Sequence, residues 1–182
     1  MELLPTSISG CWQILPKVFN DFRGSFVKTF HYDSFVQLGL ETDWREEFYS
    51  ASHQGVLRGM HFQLPPHDQA KIVYCTAGMV LDAVVDLRRD SPTYGQFSLL
   101  QLSAEKANML YIPRGLAHGF YTLSESATLL YKVSSIYAAS HDTGILWNSL
   151  GIPWPVLDPT VSARDRQHPV FSAFDPNSFP YR

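Results

Sequence analysis

The chain has 182 residues, 45% of them hydrophobic, with 14 Lys and Arg against 17 Asp and Glu and a formal net charge of −3. That length suits one domain spanning 1–182, with a core that needs no disulfides, and the charge balance argues against a duplex-binding protein or a long acidic tail. Cys11 and Cys75, with no C-x-x-C spacing, read as small buried hydrophobes in a reducing compartment.

No basic leader with an apolar core opens the chain, and no apolar run approaches the roughly 18 residues of a membrane helix. The expectation is a cytoplasmic protein with neither nucleic acid nor membrane as partner. Short strand-like runs dominate. They are predicted at Cys11–Val18, Ser25–Phe30, Trp44–Ser52, Val56–Gln63 and Ala70–Ala77. Further runs are Met79–Leu87, Gln96–Leu102, Ala107–Ile112, Ala117–Leu123 and Ala127–Tyr137. Turn signals such as Asp21-Phe22-Arg23-Gly24 and Pro113-Arg114-Gly115 separate them. About ten closely spaced strands indicate an all-β sandwich or barrel. One helix of two turns is predicted at Tyr32–Leu38. From Trp147 onward Pro153, Pro155, Pro159, Pro169, Pro176 and Pro180 rule out long helices. That segment is read as irregular chain packed on the barrel through Trp154 and Phe171.

Polar residues inside these apolar runs are the candidates for chemistry. In an ideal strand His61 and Gln63 share a face, and Arg58 has the opposite parity unless Gly59 hosts a bulge. Lys71 shares a face with Val73 and Cys75. A buried lysine is costly unless a polar or anionic group meets it. His118 follows a turn, and Tyr131 lies in an otherwise buried run.

The spacing matches the cupin motif pair, G-x5-H-x-H-x3,4-E-x6-G and P-x-G-x2-H, through Gly55, His61, Lys71, Gly78, Pro113, Gly115 and His118. The usual metal set is replaced by His61, Gln63, Lys71 and His118. A glutamine is a weak ligand and an ammonium repels a cation, so no metal is expected.

From about Ile14 to Pro169 the chain resembles the dTDP-4-dehydrorhamnose 3,5-epimerase family of cupins. The segments that carry this are Asp21-x-Arg23-Gly24-x-Phe26, Gly55-Val56-Leu57-Arg58-Gly59-Met60-His61-Phe62-Gln63 and Gln69-x-Lys71. They continue with Val85-Asp86-Leu87-Arg88, Ile112-Pro113-x-Gly115-x-Ala117-His118, Tyr131-Lys132, Gly144-Ile145-x-Trp147-Asn148 and Ser162-x-Arg164-Asp165. The resemblance implies a jelly-roll homodimer that exchanges N-terminal strands from residues 1–50, no cofactor, and a nucleotide-diphosphate 4-keto-6-deoxyhexose as substrate. It implies His61 as base, Asp165 as its partner, Tyr131 as the acid on the other face, and Lys71 and His118 near the ketone. Arg58 and Arg164 would meet the diphosphate, although the family more often has Lys where Arg164 stands. Tyr137 would stack near the base, with Gln63 and Arg23 also on the substrate.

Three positions depart from the family. Lys28 stands where a glutamate is usual, and Glu46 and Phe48 replace a Gln-x-Asn pair on the nucleotide side. Either Lys28 and Glu46 exchange charges and keep a local pair, or the base or sugar differs. Epimerisation at one carbon, a CDP- or GDP-linked sugar, and a related keto-sugar isomerase remain open.

Overall fold

In a computed structural model, residues 1–179 are described; Pro180 and the two residues after it lie outside. Two antiparallel sheets stack on each other. In chain order the strands are β1 (Glu2–Pro5), β2 (Trp12–Leu15), β3 (Val18–Asp21), β4 (Gly24–Val27), β5 (Glu46–His53), β6 (Leu57–Gln63) and β7 (Lys71–Ala77). They continue as β8 (Met79–Asp86), β9 (Phe97–Ser103), β10 (Met109–Ile112), β11 (Leu116–Thr122), β12 (Ser126–Val133) and β13 (Asp142–Gly144). One sheet runs β1-β2-β10-β7-β12-β5 and the other β13-β6-β11-β8-β9. This is a cupin-type jelly roll.

Strand parity builds three apolar layers. Val73, Cys75, Val84, Leu116, Phe120, Leu129 and Val133 meet between the sheets. Ile72, Met109 and Tyr111 face outward and are covered by Phe35 of α1 (Tyr32–Gln37) with Phe30 and Trp44. Phe62, Val85 and Ala117 face the other way, under Ile152, Trp154, Phe171 and Phe179 of the C-terminal segment. The centre of each sheet is therefore buried on both faces. That is why β11 is buried at every position and why its sequence shows no apolar–polar alternation.

Several boundaries differ from the sequence expectation. The Cys11–Val18 run splits at Pro16 into β2 and β3, because proline cannot donate to a ladder. β1 and β13 are too short to show a period. β3 and β4 pair only with each other in a hairpin that exposes Phe19, Phe22 and Phe26. Both cysteines are free and buried, and burial pushes each thiol up to about 12. No described helix is long and apolar enough to cross a membrane.

Candidate active site

Between the sheets lies a cavity of about 300 Å³ lined by residues from both. β6 supplies Arg58, His61 and Gln63, β7 supplies Lys71, β11 supplies His118 and β12 supplies Tyr131. Arg58 reaches this face through a bulge. His118 pairs with His61 and Phe120 with Arg58, so Gly59 and Met60 together oppose Gly119 alone. The crossing needs both glycines. Gly59 has φ +146°, and a Cβ there would stand 2.6 Å from Gly119 Cα. A Cβ on Gly119 would stand 2.8 Å from the Arg58 carbonyl oxygen. The extra residue corrects Arg58's parity.

His61 Nε2 lies 2.8 Å from Asp165 Oδ1. Asp165 starts a 3-10 turn, Asp165–Gln167, in the C-terminal segment. Its Oδ2 accepts from the Gly59 backbone N–H at 3.2 Å, and its own N–H donates to Ser162 Oγ. Burial works to raise this carboxyl's pKa. The His61, Gly59 and Ser162 contacts outweigh it and hold the group below the usual carboxylate range. With Nε2 committed, Nδ1 is the nitrogen of His61 available to take a proton.

Tyr131 enters from the opposite sheet. Its ring stacks on Phe48 with centroids 4.9 Å apart, and its hydroxyl lies 3.5 Å from Ser50 Oγ. Burial raises the phenol's pKa strongly, so it is held as the protonated acid. Lys71 is buried, which lowers its ammonium to about 8. The charges of Asp142 and Asp82 oppose that fall. His118 Nε2 lies 2.8 Å from Asp82 Oδ2, whose other oxygen has no hydrogen-bond partner.

The mouth is polar. Arg58 Nε donates to Ser52 Oγ at 2.9 Å, and Arg164 pairs with Asp142 at 2.7 Å. Glu46 Oε1 accepts from the Tyr137 backbone N–H, pinning the loop that carries the exposed Tyr137 ring.

Four of the expected substrate residues are placed as follows within a single chain. Gln63 lines the cavity, but its amide is spent on protein. Nε2 donates to the His67 and Ile136 carbonyls, and Oε1 accepts from Ala138 N–H. It shapes a loop and has little left for a ligand. Arg23 and Lys28 are not at this cavity within one chain. Arg23 sits at the tip of the projecting hairpin, paired with Asp21, and Lys28 is exposed just beyond β4. Lys28 and Glu46 form no ion pair within the chain; Glu46 turns to Tyr137 instead.

Sequence reasoning passed over Asp82, Asp142, Ser50 and His168. Asp82 was findable, since it shares parity with Val80 and Val84 in a buried run. His168 lies in irregular chain, where no period points to it. Among the described residues, His61, Asp165 and His168 are the one group whose ligand-type atoms fall within 4.8 Å of one another. The 2.8 Å His61–Asp165 approach is a hydrogen bond and is closer than ligands around a tetrahedral metal sit, roughly 3.3 Å apart for bonds near 2.0 Å.

A jelly roll with a carboxylate-held histidine, a buried lysine and a protonated phenol around one cavity defines a class, that of cupin-type isomerases acting on sugar nucleotides. Residues 5–173 match the family described as dTDP-4-dehydrorhamnose 3,5-epimerase, and the chain belongs to that family. It is 42% identical to the Salmonella typhimurium enzyme of that name over 174 residues, 93% of this chain and 95% of that one. It is 40% identical to a dTDP-4-dehydrorhamnose 3-epimerase of Streptomyces niveus, covering 91% and 82%. The Legionella pneumophila dTDP-6-deoxy-D-glucose-3,5-epimerase, solved with dTDP-4-keto-L-rhamnose, superposes with TM-score 0.94 at 34% identity. That match covers 100% of this chain and 98% of that one.

Proposed function

We propose that this chain epimerises a dTDP-linked 4-keto-6-deoxyhexose without a cofactor. The observation that carries the reading is the opposition of His61 and Tyr131 across one cavity, from different sheets. His61 Nδ1 takes the proton from a carbon α to the C4 ketone. The C–H electron pair moves into the ring bond, and the carbonyl oxygen becomes an enolate. Lys71 supplies a fixed positive charge for that oxygen, with His118 beside it. Tyr131 returns a proton to the carbon from the opposite face, and the carbonyl re-forms. The resulting imidazolium and phenolate reset by exchange with water. Arg58 and Arg164 suit the diphosphate and Tyr137 the base.

The test is solvent deuterium incorporation during turnover of dTDP-4-keto-6-deoxyglucose. His61→Asn is expected to lose exchange by about 10²–10⁴-fold. Tyr131→Phe is expected to keep exchange and lose the inverted sugar. Normal exchange in the first variant, or normal inversion in the second, would sink the assignments. Inversion at C3 alone is the second reading, favoured by the likeness to a 3-epimerase; product NMR separates the two.

The working unit is proposed to be a homodimer. The β3–β4 hairpin exposes Phe22 almost fully, at 98%. β5, with exposed Phe48 and Tyr49, is an open sheet edge beside the cavity. A second copy would cover both, and could bring Arg23 and Lys28 to the neighbouring cavity. Sedimentation equilibrium should give twice the chain mass, and Phe22→Asp should shift it toward the monomer. A monomeric wild type would end this proposal. A cytoplasmic location is in keeping with the two free buried thiols.

A further inference from the structure

The Asp165–Gln167 turn is a 3-10 helix, in which residues three apart lie above one another. It therefore sets His168 over Asp165. The His168 ring lies against Gly144, which is the register partner of His61 in the β13–β6 ladder. A Cβ on Gly144 would come within 2.6 Å of His168 Nε2. The imidazole thus occupies the space that a side chain beside His61 would fill. The following residue is anchored too, since the Pro169 carbonyl accepts from Leu146 N–H at 2.8 Å.

The ring is placed but its chemistry is unspent. Its side chain is 9% exposed, and Nε2 has no hydrogen-bond partner. That nitrogen stands 3.7 Å from Asp165 Oδ1, the same oxygen that holds His61. The two imidazoles meet edge to face, with centroids 5.7 Å apart. A phenylalanine or leucine would fill this space without orphaning a buried nitrogen, so packing alone does not account for a histidine.

We propose that His168 is a positioning residue of the base: its Nε2, held 3.7 Å from Asp165 Oδ1 and beyond hydrogen-bond distance in this structure, closes on that oxygen as an N–H donor in the working enzyme and so governs how strongly the carboxylate draws the proton on His61. The inference rests on the epimerase reading for its role in catalysis, but its geometry stands apart from it. A lone carboxylate against His61 favours the imidazolium, which cannot act as a base. A second donor on Oδ1 shares the negative charge and weakens that pull. Burial, and next the nearby His61, keep His168 itself toward its neutral form. The other charged or titratable groups lining the cavity with His61 are Arg58 on its own strand, Glu46, Lys71, His118, Tyr131, Tyr137, Asp142 and Arg164. Substitution at His168 leaves each of these residues in the chain, so a change in the pH profile is read against the same set.

Two measurements test this. Nitrogen-15 NMR of the wild type should show His168 as the Nε2–H tautomer; an Nδ1–H tautomer overturns the proposal without any variant. The midpoint of the acidic limb of kcat/KM should rise by about half a unit in His168→Phe and stay near wild type in His168→Gln, which keeps an N–H donor, leaving the Phe variant about 3-fold less active below the limb. Equal midpoints in all three proteins, or equal shifts in both variants, would overturn the role. Loss of epimerase activity in the wild type would instead overturn the functional reading, while the NMR result would still decide the His168–Asp165 contact.

Discussion

Two histidines in neighbouring strands of one sheet are each paired with a carboxylate from elsewhere in the chain. His61 and His118 are direct register partners, and each Nε2 lies 2.8 Å from an aspartate oxygen. The bonds match and the surroundings do not. The His61 side chain is 31% exposed, while His118, which lines the same cavity, is 4% exposed and Asp82 behind it is fully buried. Asp165 has a backbone N–H and a serine to support it, and its carboxyl is held low. Asp82 is pushed up by burial, with His118 and then Lys71 opposing the rise. A short bond alone does not make a base. In the proposed mechanism the exposed pair takes a proton from the substrate, and the buried pair supplies fixed charge that acts on Lys71.

Substituting the two aspartates in parallel is the way to break this comparison. Asp165→Asn should have the larger effect. An amide cannot stabilise the imidazolium, so deuterium exchange should fall by about 10²–10⁴-fold. Equal or smaller loss than at Asp82 would reverse the roles given to the two pairs. Asp82→Asn should cost less, about 10-fold at neutral pH, and should change the shape of the pH profile. In the proposed mechanism Lys71 must stay charged, so activity should fall as pH rises past its pKa of about 8. Asp82 is one of the charges raising that pKa, so its loss should move the alkaline limb downward. An alkaline limb that stays in place would show that Asp82 does not act through Lys71.

The same contrast explains what the sequence makes legible. His118, Lys71 and Tyr131 sit in regular strands, where a period of two assigns each to the inner face. Asp82 obeys the same rule and could have been read from Val80 and Val84. Arg58 required the Gly59 bulge, which breaks parity. Asp165 and His168 come from a proline-rich segment with no period, so Asp165 was reached through family resemblance and His168 was not reached. Arg23 and Lys28 show the opposite case. Resemblance puts them on the substrate side, with some such residues reaching across a dimer, and a single chain holds Arg23 at the hairpin tip and Lys28 just beyond it.

The base and its partner carboxylate are 104 residues apart in sequence. Asp165 reaches His61 only when the C-terminal segment lies down over the sheet through Trp154, Phe171 and Phe179. During synthesis the strands emerge before that segment. Until it docks, the carboxylate that holds His61 is missing, and so is the cover over Phe62, Val85 and Ala117. Proteolytic release of the segment would remove both together, so one stretch of chain couples the orientation of the histidine to the sealing of the sheet.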